Sequence, residues 1–201
     1  LRQICCHPGL ADEKHLDKPS AKMTALFYLL DQLREANHKV LVFSQFTSML
    51  DLIRARLVAE DRPHLLLTGQ TKDRSEVVRT FHTSKDPHVF LLSLKAGGTG
   101  LNLTAASYVV LYDPWWNPAV EQQAIDRTHR IGQTKKVFAY KMICKDTIGE
   151  KILQLQDKKK GIAKECGHDE WQEGIEPTQL FVDDKEWHQA HPTGDHHGAE
   201  D

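Results

Sequence analysis

Residues 121–133, Glu-Gln-Gln-Ala-Ile-Asp-Arg-Thr-His-Arg-Ile-Gly-Gln, hold the densest set of side chains able to do chemistry. Gln123, Arg127 and Arg130 recur at i, i+4 and i+7, which puts all three on one face of a helix while His129 points elsewhere. Two guanidiniums one turn apart, with no acid between them on that face, repel each other unless an anion bridges them. The planar arginine fork fits phosphate oxygens and offsets the charge that develops as a γ-phosphoryl group leaves. The same run also reads as a solvated basic helix with Glu121 and Asp126 as surface ion-pair partners, worth little energetically.

Two further segments carry chemistry. Lys95-Ala-Gly-Gly-Thr-Gly-Leu-Asn-Leu103 is a glycine cluster in which backbone can approach a phosphate or ribose with no Cβ in the way. A dinucleotide fingerprint fails there, because Leu103 stands where its last glycine or alanine belongs. Taken alone the cluster is equally a tight turn. Asp113-Pro-Trp-Trp-Asn-Pro118 sets two tryptophans in a Pro-bounded turn. One is expected to be core; the other, at a strand-end tip, is placed to stack on a base or lodge in a groove.

The elements that must position these segments follow from periodicity. Ser20–Ala36, Thr47–Ala59, Asp73–Phe81, Pro118 to about Arg130 and Thr147–Lys164 read as helices. Lys39–Phe46, His64–Thr68, His88–Leu94, Ser107–Tyr112 and Val137–Ile143 read as strands. Strands alternating with helices predict an α/β fold: an open, mainly parallel sheet with helices on both faces, plus a C-terminal helix and an acidic tail. Ligands in such sheets collect beyond the carboxyl ends of the strands. The loops to watch are therefore 44–47, 69–71, 93–104 and 113–117.

Composition sets the outer bounds. With 40% hydrophobic and 27% charged residues, the chain buries a core and is not intrinsically disordered. Its longest apolar runs are far below the ~20 residues of a membrane span, and no signal peptide is visible. Four cysteines make no disulfide framework, so a reducing compartment is expected. The net charge of −2 is unevenly spread: residues 168–201 hold ten Asp/Glu against Lys185 alone, leaving a basic body. A basic body fits an anionic partner, or solubility alone.

Metal chemistry finds little footing. Cys5-Cys6-His7 lacks a second pair at zinc spacing. Asp12-Glu13-Lys14-His15 does not end an apolar strand, as an acidic Mg²⁺ box must. His188, His191, His196 and His197 fall in the tail, and Lys158-Lys159-Lys160 reads as a solvated helix face. No metal site is assigned. No Gly-Lys-Ser/Thr phosphate loop occurs in the chain either.

Taken in order, these segments resemble the C-terminal RecA-like helicase lobe of the Swi/Snf-type, superfamily-two, DNA-dependent ATPases. Leu1–Pro8 resembles the stretch that precedes this lobe. Lys39–Phe46 resembles motif IV, Ser93–Leu103 motif V, Asp113–Pro118 the family's Asp-x-x-Trp-Asn-Pro segment, and Gln123–Gln133 motif VI. The match runs from residue 1 to about 165. Trp115 departs from the pattern, since it precedes the family's Trp116 at a position where other residues also occur. The resemblance divides the chain into a lead-in (1–19), the lobe (20–166) and an acidic, His-rich, partly disordered tail (167–201).

The resemblance implies the second motor lobe of an ATP-dependent double-stranded DNA translocase that remodels DNA-bound proteins. Arg127 and Arg130 would be arginine fingers, with Gln123, Gly100 and Asn102 at the nucleotide. Ser44, Gln45, Gly69, Ser93, Lys95 and Trp116 would face DNA. ATP and Mg²⁺ would be bound mainly by an N-terminal RecA-like lobe of the same full-length protein, so this stretch alone should be inactive. The alternative is a non-catalytic nucleic-acid-binding module that keeps the fold. A bacterial, nucleoid-associated cytoplasmic location is favoured, or the nucleus in a eukaryote; no membrane partner is expected.

Overall fold

The computed structural model describes residues 2–16, 18, 20–86, 88–97, 100–128, 136–165 and 175–183, without the side chains of 158–165. Among them six strands form one parallel sheet: β1 (Val40–Ser44), β2 (His64–Leu67), β3 (Val89–Ser93), β4 (Tyr108–Leu111), β5 (Val137–Cys144) and β6 (Ile175–Val182). Their order across the sheet is β2-β3-β1-β4-β5-β6. The helices are α1 (Ala21–Glu35), α2 (Thr47–Ala59), α3 (Arg74–Thr83), the single turn α4 (Leu94–Gly97), α5 (Pro118–Asp126) and α6 (Ile148–Glu165). This is the open, parallel α/β sheet that the alternation of strands and helices predicts, in the RecA-like form that the resemblance implies.

Alternation along each strand builds two core layers. Val40, Val42, Val89, Leu91, Val110 and Tyr112 pack with Leu26, Leu30, Leu50 and Ile53 of α1 and α2. Leu41, Phe43, Phe90, Leu92, Val109 and Leu111 face the other way, toward Phe81 of α3, Ala96 of α4 and Ala124 and Ile125 of α5. Because both faces are covered, the central strands β1, β3 and β4 are nearly continuous apolar runs rather than alternating polar and apolar.

The helix ends are written locally. Ser20 accepts a hydrogen bond from Met23 N at 3.3 Å and so caps α1, and Asp73 does the same for Glu76 N at 2.9 Å in α3. Both α1 and α2 stop on a residue in the left-handed region, Asn37 (φ 57°) and Asp61 (φ 49°). His38 N then donates to Leu33 O at 2.8 Å, and Arg62 N to Leu57 O at 2.9 Å. Each is the long bond of a Schellman motif.

Two elements differ from the sequence reading. The tail contributes a sixth strand, β6, paired along its length with β5. α5 ends at Asp126, one turn short of the expected Arg130; Arg127 is its C-cap, and His129 and Arg130 lie outside the described residues. The lead-in is joined to the lobe: Cys6 belongs to the first core layer, and its carbonyl accepts from Tyr112 Oη at 2.9 Å and Ser20 Oγ at 3.1 Å.

Candidate functional site

β1 leaves the sheet toward β2 by way of α2, on one face. β4 leaves in the opposite direction toward β5 by way of α5, on the other. Their carboxyl ends therefore flank a topological switch point, where an open α/β sheet offers its crevice. Asp113, one residue beyond Tyr112, closes the floor of it. Its Oδ1 accepts from Ser44 Oγ at 2.5 Å and its Oδ2 from Gln45 N at 3.1 Å. Burial pushes the Asp113 carboxyl above its ordinary value, while the Ser44 hydrogen bond, the nearby Lys22 ammonium and Gln45 pull it back. Lys22 is itself buried, 5.1 Å from the Tyr112 ring centre.

This floor redefines two of the six residues assigned to DNA. Ser44 is 0% exposed, with its hydroxyl committed to Asp113. Ser93, its neighbour in register, is buried too, and its Oγ accepts from Ala96 N at 3.3 Å to start α4. Both serines shape the edge from inside it. Gly69, Lys95 and Trp116 lie exposed, and Gln45 is half-buried between them and the core.

The tryptophan turn separates its two rings as the sequence reading expects. Trp115 is partly buried and packs against the second core layer, whereas Trp116 is 50% exposed. The Arg2 guanidinium lies 5.2 Å from the Trp115 ring centre and 5.4 Å from that of Trp116, and donates to Pro114 O at 2.6 Å. Beneath the turn, Glu121 Oε1 accepts from Trp115 N at 2.7 Å, and Gln156 Nε2 donates to Trp115 O. Lys141 Nζ joins the two by donating to Glu121 Oε2 at 2.5 Å and to Gln156 Oε1 at 3.2 Å. Glu121 is thus a buried ion-pair partner and not the surface one of the solvated-helix reading; Asp126 accepts from Gln122 Nε2 at 2.8 Å.

The glycine segment meets the other end of α5. Leu103 N donates to Arg127 O at 3.0 Å, which fastens the loop beyond β3 to the C-cap of the helix. Gly100 holds φ +64° with no atom within 4 Å of where a Cβ would stand, so backbone is open to a ligand there. Asn102 is exposed; its Oδ1 accepts from Thr104 and its carbonyl bonds His82 Nε2 at 2.9 Å. Gln123 is exposed and Arg127 partly so. The Leu103–Arg127 bond sets the Gly100–Asn102 segment beside the end of α5, a ledge whose open backbone and guanidinium suit a polyphosphate; Gln123 lies exposed one helical turn before Arg127.

Among the described residues no three His, Cys, Asp or Glu gather as a metal cage. Asp12 caps a 3-10 turn by accepting from Lys14 N at 3.1 Å. Cys6 is buried, which pushes its thiol up to about 12, and His7 Nδ1 accepts from Gly9 N at 3.0 Å. The histidines of the tail lie outside the described residues, as do the side chains of Lys158, Lys159 and Lys160.

Arg2, Lys141 and Gln156 carry no role in the sequence reading. Lys141 did leave a signal, being the only charge in the apolar strand Val137–Cys144, and Gln156 follows Ile152 by one turn on the face α6 buries. Arg2 left none, since its partners Phe46, Pro114, Trp115 and Trp116 are all distant in sequence.

A parallel sheet with a glycine loop, an arginine-capped helix and a tryptophan turn at its carboxyl edge has the architecture of a RecA-like lobe. The chain belongs to the family described as the helicase conserved C-terminal domain, whose model matches residues 21–132. Within it, the relatives are Swi/Snf-type ATPases. The chromatin-remodeling ATPase INO80 of Mus musculus is 48% identical over 147 residues, 72% of this chain and 9% of that protein. The ATP-dependent helicase MG018 of Mycoplasma genitalium is 41% identical over 166 residues, 82% of this chain and 16% of that protein. The crystal structure of the C-terminal part of the Fun30 ATPase domain superposes with a TM-score of 0.65 at 39% identity, covering 77% of this chain and 52% of that one. The chain thus spans a small part of the curated relatives' length.

Proposed function

We propose that this lobe is the second half of an ATP-driven motor that translocates on double-stranded DNA and displaces or remodels proteins bound to it. ATP, as substrate, lies between the Gly100–Asn102 ledge and an N-terminal lobe supplying the phosphate loop and most of the Mg²⁺ coordination. Arg127 and Arg130 act as fingers that stabilise charge on the departing γ-phosphoryl group, with Gln123 beside them. DNA backbone runs along Gln45, Gly69, Lys95 and Trp116, while Ser44 and Ser93 hold that edge from within. The observation that carries the reading is the Leu103–Arg127 hydrogen bond, which sets the glycine loop and the arginine end of α5 side by side.

Relatives named as chromatin-remodelling ATPases support DNA-bound protein as the target, and a nuclear location in a eukaryote. A relative named as an ATP-dependent helicase in Mycoplasma genitalium makes a bacterial source compatible with the same reading.

Steady-state kinetics of the full-length enzyme test the reading. Arg127→Ala or Arg130→Ala should cut kcat by on the order of 10³ or more, with much smaller changes in nucleotide and DNA affinity. Arg→Lys should rescue poorly, because a point charge lacks the fork. His129→Ala is the control and should cost less. Near-normal kcat in both arginine variants, with DNA binding lost, makes the lobe a binding module instead.

A further inference from the structure

The motor reading assigns no work to the buried trio of Glu121, Lys141 and Gln156. Each comes from a different element: the first turn of α5, the middle of β5 and the body of α6. Lys141 is 6% exposed, Glu121 and Gln156 1% each. A buried ion pair is a poor device for stability, since apolar residues of similar volume do as well or better. Its value has to be sought in what it points at, and here that is a single peptide segment.

The peptide plane joining Pro114 to Trp115 is held on both sides, by Arg2 on Pro114 O and by Glu121 on Trp115 N. The next plane, joining Trp115 to Trp116, is held by Gln156 on Trp115 O. Lys141 orients the two acceptor-bearing side chains by spanning Glu121 Oε2 and Gln156 Oε1. With both flanking planes pinned, the two soft torsions at Trp115 are fixed, and the direction in which the chain delivers Trp116 is fixed with them.

We propose that Glu121, Lys141 and Gln156 are positioning residues that set the attitude of Trp116 toward DNA, making β5 and α6 a bracket for the DNA-facing turn. The proposal rests on the reading of Trp116 as a DNA contact. The bracket exploits directionality: carboxylate and amide bonds fix orientation, which apolar packing of equal volume would not do.

The test uses the full-length protein and charge-balanced variants, so that no lone buried charge confuses the outcome. Glu121→Gln with Lys141→Met keeps an acceptor for Trp115 N; Glu121→Leu with Lys141→Met removes it. Gln156→Leu removes the donor on the other plane, and Trp116→Ala is the reference. Two readouts are taken: the DNA concentration giving half-maximal ATPase stimulation, and the ¹⁹F resonance of Trp116 in fluorotryptophan-labelled protein, assigned from Trp116→Ala. The Leu/Met pair and Gln156→Leu should raise the half-stimulating DNA concentration roughly tenfold and shift or broaden the Trp116 resonance, since each strands a buried peptide group. The Gln/Met pair, which keeps an acceptor for Trp115 N but loses the Lys141 span, should raise it only about threefold and shift the resonance less than the Leu/Met pair does. An unchanged resonance in the Leu/Met pair, or equal defects in both pairs, overturns the bracket. A shifted resonance together with a Trp116→Ala variant indifferent to DNA keeps the bracket and overturns the DNA reading of Trp116.

Discussion

Replacing the two adjacent tryptophans one at a time separates a DNA contact from a packing residue. An indole buries roughly 150–250 Å² when fully covered. Trp116 is 50% exposed, which leaves on the order of 100 Å² to be covered by DNA. At about 25 cal/mol per Å² that area corresponds to ~2.5 kcal/mol, inside the ~1–3 kcal/mol range for a base stacked on an aromatic ring. Trp116→Ala should therefore weaken DNA stimulation of the full-length ATPase by about 10- to 100-fold in half-stimulating concentration. DNA-stimulated turnover should fall more than basal turnover. Its melting temperature should fall less than that of Trp115→Ala, because half of the ring is already exposed and only the other half, with the Arg2 contact, is lost. Trp115→Ala should do the reverse: its packing against Leu41-side core residues is worth ~2–3 kcal/mol, so melting should drop by several degrees. The assay pair is a DNA titration of ATPase rate and a thermal melt on the same preparations. DNA dependence lost in Trp115→Ala and retained in Trp116→Ala, at equal melting temperatures, would refute the assignment of the exposed ring.

Two further outcomes follow from the same geometry. Lys95→Ala should lower the slope of log affinity against log salt by about one, with sequence-independent weakening, as expected for a single phosphate contact. His7 titrates below its ordinary 6.5 because burial disfavours its charged form, and it is neutral while it accepts from Gly9 N. Its contribution to stability is therefore complete above 6.5 and is lost as pH falls from there through the folded-state value. His7→Asn, which keeps an acceptor but does not titrate, should flatten that part of the pH–stability curve; equal slopes for both proteins would contradict it.

How far the sequence discloses the molecule depends on which forces set each element. β1 through β5 are legible because strands covered on both faces are short apolar runs, and α1, α3 and α5 because a capping Ser20, Asp73 or Asn117 precedes an apolar stripe. β6 escapes that logic. Ile175-Glu-Pro-Thr-Gln-Leu-Phe-Val182 buries only its ends, and Pro177 argues against a central strand; the segment forms one because it sits at the sheet's edge, where one side needs no partner. The overextension of α5 has a tertiary cause, since Leu103 N takes the Arg127 carbonyl and Thr128 Oγ1 folds back onto Ile125 O at 2.5 Å. The exposure of Lys95 at this edge follows from its type, whereas the burial of Ser44 and Glu121 does not. Each is turned inward by a partner distant in sequence, Asp113 and Lys141, and local patterning carries no record of such pairings.

The inward turn of Glu121 bears on how the two halves of the edge communicate. α5 begins at the tryptophan turn, where Asn117 caps it and Glu121 grips Trp115 N. It ends at the glycine ledge, where Arg127 O is bonded to Leu103 N. Its nine residues make a rod of about 13 Å at 1.5 Å per residue, too short and too well packed through Ala124 and Ile125 to bend. A shift of the ledge as a nucleotide enters or leaves must then be passed to the turn, or be absorbed at one of its two hydrogen-bonded ends. On the proposed reading, the end held by Glu121, Lys141 and Gln156 would be a pivot at the DNA side, and the Arg127–Leu103 bond a contact at the nucleotide side that a ligand could move. That asymmetry is what a motor lobe requires if nucleotide chemistry is to change its hold on DNA rather than merely accompany it.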